Sequence, residues 1–134
     1  MTDEKDAALC AKYPKIFSER NMSMQETCMC WGLDCGDGWY DLIDTLCCQL
    51  QSEVDQNPKQ VQIIAKQVKQ KYGTLRFDVG WASERIAGMV QMVEAISGRI
   101  CEECGNKATV RTRGYVRNLC EPCHAESKKP KELK

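Results

Sequence analysis

The sequence predicts an α+β fold, with a small core of helices and a β-hairpin followed by a cysteine-rich unit at the C-terminal end. Three patterns in the 134 residues predict it. Two stretches carry apolar residues at three-and-four spacing, which is typical of amphipathic helices. A stretch rich in β-branched residues lies between them. Two Cys-x-x-Cys pairs follow the second helical stretch.

The two amphipathic helices are predicted at about 39–55 and about 83–97. Their apolar stripes consist of Trp39, Leu42, Ile43, Leu46, Cys47, Leu50 and Val54 in the first, and Ile86, Met89, Val90, Val93 and Ile96 in the second. Asp37 and Ser83 are the candidate N-caps, because their short polar side chains can accept from free N–H groups at a helix start. A shorter helix is expected to end or kink at Pro14.

The stretch between these helices predicts a β-hairpin at about 61–79. Residues 61–68 are rich in β-branched side chains, Tyr72-Gly73 is a turn signal, and residues 74–79 alternate polar and apolar side chains. Good helix formers precede the turn, so a helix is the alternative for the first strand.

The two Cys-x-x-Cys pairs predict a zinc site formed by Cys101, Cys104, Cys120 and Cys123. Fifteen residues separate the pairs, and this spacing is typical of four-cysteine zinc sites. A tight turn aims both sulfurs of a pair at one point, as tetrahedral zinc requires. Four thiolates leave zinc no open position, so a structural metal is expected. Two disulfides or a redox site are the alternatives, which a reducing compartment disfavours.

The residues around these pairs predict the shape of the unit. Two short strands are expected to turn near Arg113-Gly114, and the residues after Cys123 can form a short helix. With that helix the unit resembles a treble-clef finger, and without it a zinc ribbon. His124, the only histidine, could donate to a sulfur or replace Cys123 as a ligand. A surface position is favoured, since four cysteines already complete the site.

Charge and composition divide the chain near residue 98. Residues 1–98, the predicted α+β domain, hold ten Lys or Arg and fourteen Asp or Glu. Residues 99–134 hold nine Lys or Arg and five Asp or Glu, although the whole chain is neutral. This second part is predicted as the zinc finger at 99–127 and a charged tail at 128–134. The opposite net charges suggest two surfaces with different partners.

The remaining cysteines allow a second metal site as an alternative. Cys28, Cys30 and Cys35 lie in one loop, and Cys48 lies on the following predicted helix, with Cys10 as a further candidate. Their spacing matches no clear ligand pattern. The favoured interpretation is that free cysteines of this kind are small buried hydrophobes.

Three arginines, Arg111, Arg113 and Arg117, lie within the predicted zinc hairpin. They are candidates for contact with nucleic-acid phosphates or with an acidic protein surface. A solvated charged face is the alternative interpretation.

No catalytic residues are predicted. The sole histidine adjoins a metal ligand, so no nucleophile–histidine–carboxylate set is credible, and no phosphate-binding glycine motif occurs. A carboxylate-based enzyme using Asp34, Asp37 or Asp41 is the alternative. No apolar run approaches the ~20 residues of a membrane helix, so we expect no membrane partner.

Two parts of the chain resemble a family of small hypothetical proteins of bacteriophages and prophages. The motifs are Leu9-x-x-Lys12-Tyr13-Pro14-Lys15 with Cys30-Trp31-Gly32-Leu33-Asp34-Cys35-Gly36-Asp37-Gly38-Trp39, and Val68-Lys69-Gln70-Lys71-Tyr72-Gly73-Thr74-Leu75-Arg76-Phe77 with Cys101-Glu102-x-Cys104-Gly105. The resemblance implies a phage origin and a setting in the cytoplasm of an infected bacterium. It implies no activity and no functional residues.

These observations lead to one main hypothesis and one alternative. The main hypothesis is a non-enzymatic, zinc-binding phage protein that binds a host protein or complex, with inhibition of a host defence system as one form of that action. The alternative is a zinc finger that binds nucleic acid through its arginines.

Overall fold

The structure is a computed structural model that describes residues 1–130. It contains four α-helices and five β-strands within those residues, which confirms the α+β class. The elements are α1 (Asp3–Lys12), β1 (Leu33–Asp34), α2 (Tyr40–Gln56), β2 (Gln67–Lys71), β3 (Thr74–Asp78), α3 (Glu84–Ser97), β4 (Val110–Arg111), β5 (Asn118–Leu119) and α4 (Glu121–Ser127). Of the predicted charged tail at 128–134, residues 131–134 lie outside the described part.

The first sheet has three strands in the order β1-β2-β3. β2 and β3 form the predicted hairpin, but its first strand begins at Gln67 rather than near residue 61. β3 ends at Asp78, opposite Gln67. Lys66 N still donates to the Asp78 carbonyl at 2.7 Å, but residues 61–65 have no strand beside them with which to form a ladder. β1 adds a short parallel strand beside β2, in a region for which the sequence predicts no regular structure.

The hairpin turn consists of Tyr72 and Gly73, both with positive φ, at 52° and 86°. A two-residue turn with both central residues in the left-handed region matches the right-handed twist of the flanking strands. Glycine adopts this conformation freely, but a residue with a Cβ atom loses roughly 1–2 kcal/mol in it. Tyr72 therefore destabilises the turn relative to asparagine or glycine, which this position favours.

The core lies where α3 packs against β3 and against α2. Its largest fully buried side chains are Leu9, Ile16, Met29, Trp39, Ile43, Leu46, Leu50, Val68, Leu75, Phe77 and Ile86. Ser83 caps α3 as predicted, since its hydroxyl accepts from Ile86 N at 3.4 Å. Asp37 does not cap α2, because its carboxylate accepts from Thr2 N at 2.8 Å instead. Within residues 1–130, every helix is too short or too polar to span a lipid bilayer.

The Asp6 side chain links α1 to the first residue of β1 and to Arg20. Its carboxylate accepts from Leu33 N at 2.9 Å and from Arg20 Nε at 3.1 Å. Burial opposes the charged form, but these donors and the positive charge of Arg20 outweigh it, and the pKa of Asp6 falls below its ordinary value. The contact therefore stabilises the fold only while the carboxylate is ionised.

We expect Asp6→Asn to lose about 2 kcal/mol of unfolding free energy at neutral pH, because its charged hydrogen bonds disappear. Since the folded-state pKa is lowered, the difference from wild type is full above about pH 4 and shrinks as the pH falls further. Urea unfolding across this pH range measures the difference in unfolding free energy. Asp3→Asn, at an exposed position of the same helix, is the matched control. A difference independent of pH would contradict the assignment.

Candidate metal centre

Four cysteine sulfurs meet in the C-terminal unit. All four Sγ atoms lie within 4.8 Å of one another, those of Cys101, Cys104, Cys120 and Cys123. The sulfurs of Cys104 and Cys120 are 3.6 Å apart, close to the edge of about 3.8 Å in a tetrahedron with Zn–S bonds of ~2.3 Å. A disulfide would bring two sulfurs to ~2.05 Å, and all four thiols are free. The cluster could therefore hold a metal ion.

The first cysteine pair lies in a tight turn, here called the first knuckle (residues 101–104). Gly105 N donates to the Cys101 carbonyl at 2.9 Å, and Cys101 N donates to the Asn106 carbonyl at 2.6 Å. Gly105 has a φ of 84°, which glycine adopts without strain. These bonds fix the backbone of the turn that carries both cysteines.

The second cysteine pair connects the predicted zinc hairpin, which consists of β4, β5 and the loop between them, to α4. Strands β4 and β5 pair antiparallel, and Cys120 follows β5 directly, in the residue before α4. Cys123 lies in the first turn of that helix, after Pro122, which suits a first turn because it lacks an N–H group. Since α4 forms, the order of knuckle, hairpin, knuckle and helix is that of the treble-clef alternative.

The surroundings of the sulfurs affect how readily each thiol ionises. Burial opposes the thiolate of Cys101, but backbone N–H groups of Cys120, Cys104 and Glu103 outweigh it and lower its pKa to about 7. Contact with the Cys120 sulfur, together with burial, raises the pKa of Cys123. A crowded thiol cluster releases its protons when a divalent cation supplies the opposing charge.

His124 lies beside this cluster but does not join it. Within residues 1–130, the group of converging ligand atoms contains the four cysteines and no histidine. The side chain is half-buried beside the knuckle. Its buried Nδ1 atom has no hydrogen-bond partner among the described residues.

The Gly-Asp-Gly-Trp motif packs directly against the first knuckle. Gly38 N donates to the Glu102 carbonyl at 2.7 Å, and Trp39 Nε1 donates to the Ile100 carbonyl at 3.0 Å. A methyl group at Gly38 would overlap the carbonyl oxygen of Cys101. The motif thus forms the platform that supports the metal-binding turn, and its second glycine allows the two backbones to approach this closely.

Glu102 is a buried carboxylate that ties the finger to the core. It is 4% exposed and accepts from Gly36 N at 2.9 Å and from Arg117 Nε at 3.2 Å. Gln70 of β2 lies 3.4 Å from the same carboxylate and donates to the Val116 carbonyl at 2.7 Å. Glu102 therefore links the glycine-rich loop, the first sheet and the zinc hairpin.

We expect Arg117→Ala to lose about 3 kcal/mol of unfolding free energy, because it leaves the Glu102 carboxylate buried without its cation. Denaturant unfolding of the metal-loaded protein measures the loss. Arg113→Ala is the matched control, since that side chain is exposed and a surface change of this kind costs within about 0.5 kcal/mol. Equal losses in the two variants would contradict the role assigned to Arg117.

A second set of contacts joins the finger to the Tyr72-Gly73 turn. Asn118 Nδ2 donates to the Gly73 carbonyl at 2.9 Å, and Arg111 Nη2 donates to the Tyr72 carbonyl at 3.3 Å. Sequence reasoning did not identify Asn118, although it is buried next to a metal ligand. A polar residue that begins the short strand before Cys120 is the only local signal, and its partner lies 45 positions away.

The structure does not bring together the cysteines of the alternative second metal site. Cys28 and Cys48 are exposed, Cys30 is half-buried and Cys35 is buried. Within residues 1–130, the C-terminal cluster is the only group of three or more converging His, Cys, Asp or Glu ligand atoms. Burial raises the pKa of Cys35 to about 12, which suits a packing role rather than metal binding.

The three hairpin arginines have different surroundings. Arg117 forms ion pairs with Glu102 and Glu103, and its side chain is only 21% exposed. Arg111 and Arg113 are exposed, and neither forms an ion pair within residues 1–130. Arg117 is thus committed to the fold, which leaves two of the three candidates free for a partner.

The carboxylates of the alternative enzyme hypothesis do not converge. Asp37 accepts from Thr2 N, and Asp34 and Asp41 are exposed. Asp37 and Asp41 border a groove of ≈ 430 Å³ beside the first knuckle, which Lys5, Tyr40 and Cys104 also line. Neither aspartate belongs to a converging group of three or more His, Cys, Asp or Glu ligand atoms within residues 1–130.

The chain matches no protein-family model, no curated protein and no solved structure. The geometry of the four-cysteine site and the exposed surfaces are therefore the basis for assigning a function.

Proposed function

We propose that the protein is a non-enzymatic zinc-binding protein in which the metal has a structural role. The observation that supports this proposal is the convergence of four cysteine sulfurs, which fill the tetrahedral shell that zinc prefers and leave no position for a substrate. The buried apolar cluster of the finger consists of only Cys101, Leu119 and Cys120. Such a small core cannot stabilise a fold by itself, whereas structural zinc contributes folding free energy outright.

Native mass spectrometry with elemental analysis tests this role. We expect one zinc per chain, retained in Cys48→Ser and lost in Cys123→Ser. Cys48 is an exposed cysteine outside the cluster, which makes it the matched control. A protein purified without zinc under reducing conditions, or one that keeps zinc in Cys123→Ser, would contradict the proposal.

We further propose that the partner is a host protein or complex in an infected bacterium, including a component of a host defence system. The resemblance to phage proteins supports the setting. An apolar groove of ≈ 460 Å³ between α2 and α3, lined by Leu46, Met89, Met92 and Val93, supports a protein partner. Exposed apolar grooves of this kind are typical of protein interaction sites.

Two further features, one in α3 and one in the loop before it, favour a protein partner. Trp81, shortly before α3, is 88% exposed, and tryptophan is enriched among the residues that contribute most to protein interfaces. Gly88 leaves the groove open, because nothing lies within 4 Å of the position that a Cβ atom would take. A helix interior gains roughly 1 kcal/mol from alanine in place of glycine, so the fold itself gives no reason for Gly88.

Affinity capture from bacterial lysate, followed by calorimetry with the purified partner, tests this proposal. We expect capture by wild type and by Gln91→Glu, and loss of capture by Met92→Glu. Both substitutions add one negative charge to an exposed position of α3, but only Met92 lines the groove. A partner that Met92→Glu still binds, or no partner at all, would contradict a host-protein role for this groove.

Nucleic-acid binding is the second candidate function. It is favoured by the exposure of Arg111 and Arg113 and by a run without Asp or Glu, residues 104–120, that surrounds them. An electrophoretic mobility shift at low salt that disappears as salt is added would support it. No shift at low salt would eliminate it.

A further inference from the structure

We propose that Tyr72 and Tyr115, together with Arg111 and Arg113, form a binding surface for single-stranded nucleic acid, here called the tyrosine–arginine surface. This inference rests on the second candidate function and deepens it, because it names the kind of nucleic acid and adds two aromatic side chains. Tyr72 belongs to the hairpin of the core domain and the other three belong to the zinc hairpin. The docking of the finger on the core is what brings them together.

Tyr72 is an unexpected residue at its position. It lies in the left-handed region, where asparagine or glycine would be favoured, and its side chain is 68% exposed. Its ring is therefore not needed by the turn or by the core. An aromatic ring displayed at the tip of a tight hairpin suits stacking against a flat ligand.

Contacts between the two hairpins place Arg111 and the loop that carries Tyr115 beside the Tyr72-Gly73 turn. Arg111 Nη2 donates to the Tyr72 carbonyl at 3.3 Å, and a Cβ atom at Gly73 would lie 3.2 Å from Val116. Tyr115 immediately precedes Val116 and is 74% exposed. Two exposed tyrosines and an arginine from distant parts of the chain thus flank one junction.

The loop that carries Tyr115 is ordered by its own hydrogen bonds. The hydroxyl of Thr112 donates to the Tyr115 carbonyl at 2.7 Å, and Arg117 N donates to that hydroxyl at 2.7 Å. Gly114 has a φ of 76°, which permits the turn between Arg113 and Tyr115. A ring held on an ordered loop loses less conformational entropy on stacking than one on a mobile loop.

The charge at this surface favours a phosphodiester partner. Residues 104–120 contain Lys107, Arg111, Arg113 and Arg117 and no acidic residue. Arg117 is neutralised by its ion pairs with Glu102 and Glu103, so Lys107, Arg111 and Arg113 provide the free positive charge. Lys71, next to Tyr72, is exposed and adds to it.

The combination of rings and guanidinium groups indicates single strands rather than duplexes. Unpaired bases expose flat faces that stack on tyrosine, while nearby arginines contact the backbone phosphates. A duplex hides those faces, so it would use only the charges. An acidic protein surface would likewise use the arginines, but a single strand presents a flat base and a phosphate at every nucleotide, which matches alternating rings and guanidinium groups.

Fluorescence anisotropy with labelled oligothymidylate and oligouridylate of about 12 nucleotides tests the proposal on the zinc-loaded full chain. We expect Tyr72→Asn and Tyr115→Ala each to weaken binding about tenfold, in line with the loss of one stacked base. Asparagine is preferred at positive φ, so Tyr72→Asn removes the ring while keeping the turn. Arg113→Ala should lower the slope of log affinity against log salt by about 0.7.

Two matched controls separate this surface from general effects. Trp31→Ala removes an exposed aromatic ring elsewhere, and Arg85→Ala removes one exposed positive charge from α3. We expect both to bind like wild type. The zinc content of every variant is measured on the same sample, so loss of metal is distinguished from loss of the binding surface.

Four results would overturn the inference. They are no binding by zinc-loaded wild type at low salt, unchanged affinity in both tyrosine variants, equal affinity for a duplex of the same length, and equal competition by polyglutamate, which would indicate an acidic protein partner. Each leaves the proposed structural zinc and the Met92-dependent partner untouched, since those depend on separate measurements. Preference for oligouridylate over oligothymidylate would assign the surface to RNA.

Discussion

Removal of the metal is expected to unfold the C-terminal finger and to destabilise the rest of the protein. Apparent binding free energies of structural zinc in small fingers are roughly 10–16 kcal/mol, far more than the small apolar cluster of the finger can supply. The core also loses partners, because Gly38 N and Trp39 Nε1 both donate to carbonyl groups of the finger. Two such bonds correspond to about 2 kcal/mol.

Hydrogen exchange of the chelator-treated protein measures both effects. Amides of residues 101–119 should lose protection completely, and those of α2 should exchange faster but remain protected. Cys101→Ser should reproduce the result without a chelator, whereas the exposed Cys48→Ser should resemble wild type. Full protection of the finger after zinc removal would mean that the metal is not what holds it.

Gly38→Ala should cause the second large effect, a loss of about 3 kcal/mol with zinc saturating. The added methyl group would overlap backbone atoms of Cys101, Glu102 and Gly105. Backbone atoms cannot rotate away as a side chain can, so either the loop or the first knuckle must move. The finger should keep its zinc, because none of its ligands is altered, but it should no longer dock on the core.

Gly88→Ala is the matched control for this substitution. The same methyl group at Gly88 meets nothing within 4 Å, and in a helix interior it should stabilise the protein by roughly 1 kcal/mol. In denaturant unfolding, the midpoints of the two variants should therefore shift from that of wild type in opposite directions. If Gly38→Ala unfolds at the same denaturant concentration as Gly88→Ala, the close contact between the glycine-rich loop and the knuckle does not exist in solution.

Local patterns in the sequence were sufficient for the helices, the hairpin turn and the cysteine pairs. Each depends on residues a few positions apart, such as the cap of Ser83 on Ile86 or the two positive φ values at Tyr72 and Gly73. The start of the first hairpin strand could not be predicted in this way. Residues 61–65 have the composition of a strand but no neighbouring strand with which to pair.

In the candidate site, too, local features could be predicted from the sequence and contacts between distant segments could not. Spacing identified the four cysteines, since a ligand pair within a tight turn is a local property. It also suggested three equivalent arginines, yet one of them is an ion-pair partner of buried Glu102. Nothing near Arg117 in sequence distinguishes it from Arg113, because the groups that bury Glu102 include Gly36, which lies 66 positions from it.

The sequence by itself thus determined which sulfurs could share one ion and which stretches would become helices, because these follow from spacing along a few turns of chain. Only the tertiary structure decided what the Gly-Asp-Gly-Trp motif does and which side chains remain free for a partner. The physical reason is that docking depends on backbone groups from distant segments meeting at hydrogen-bond distance. Such groups are identical in every residue and leave no pattern in the sequence.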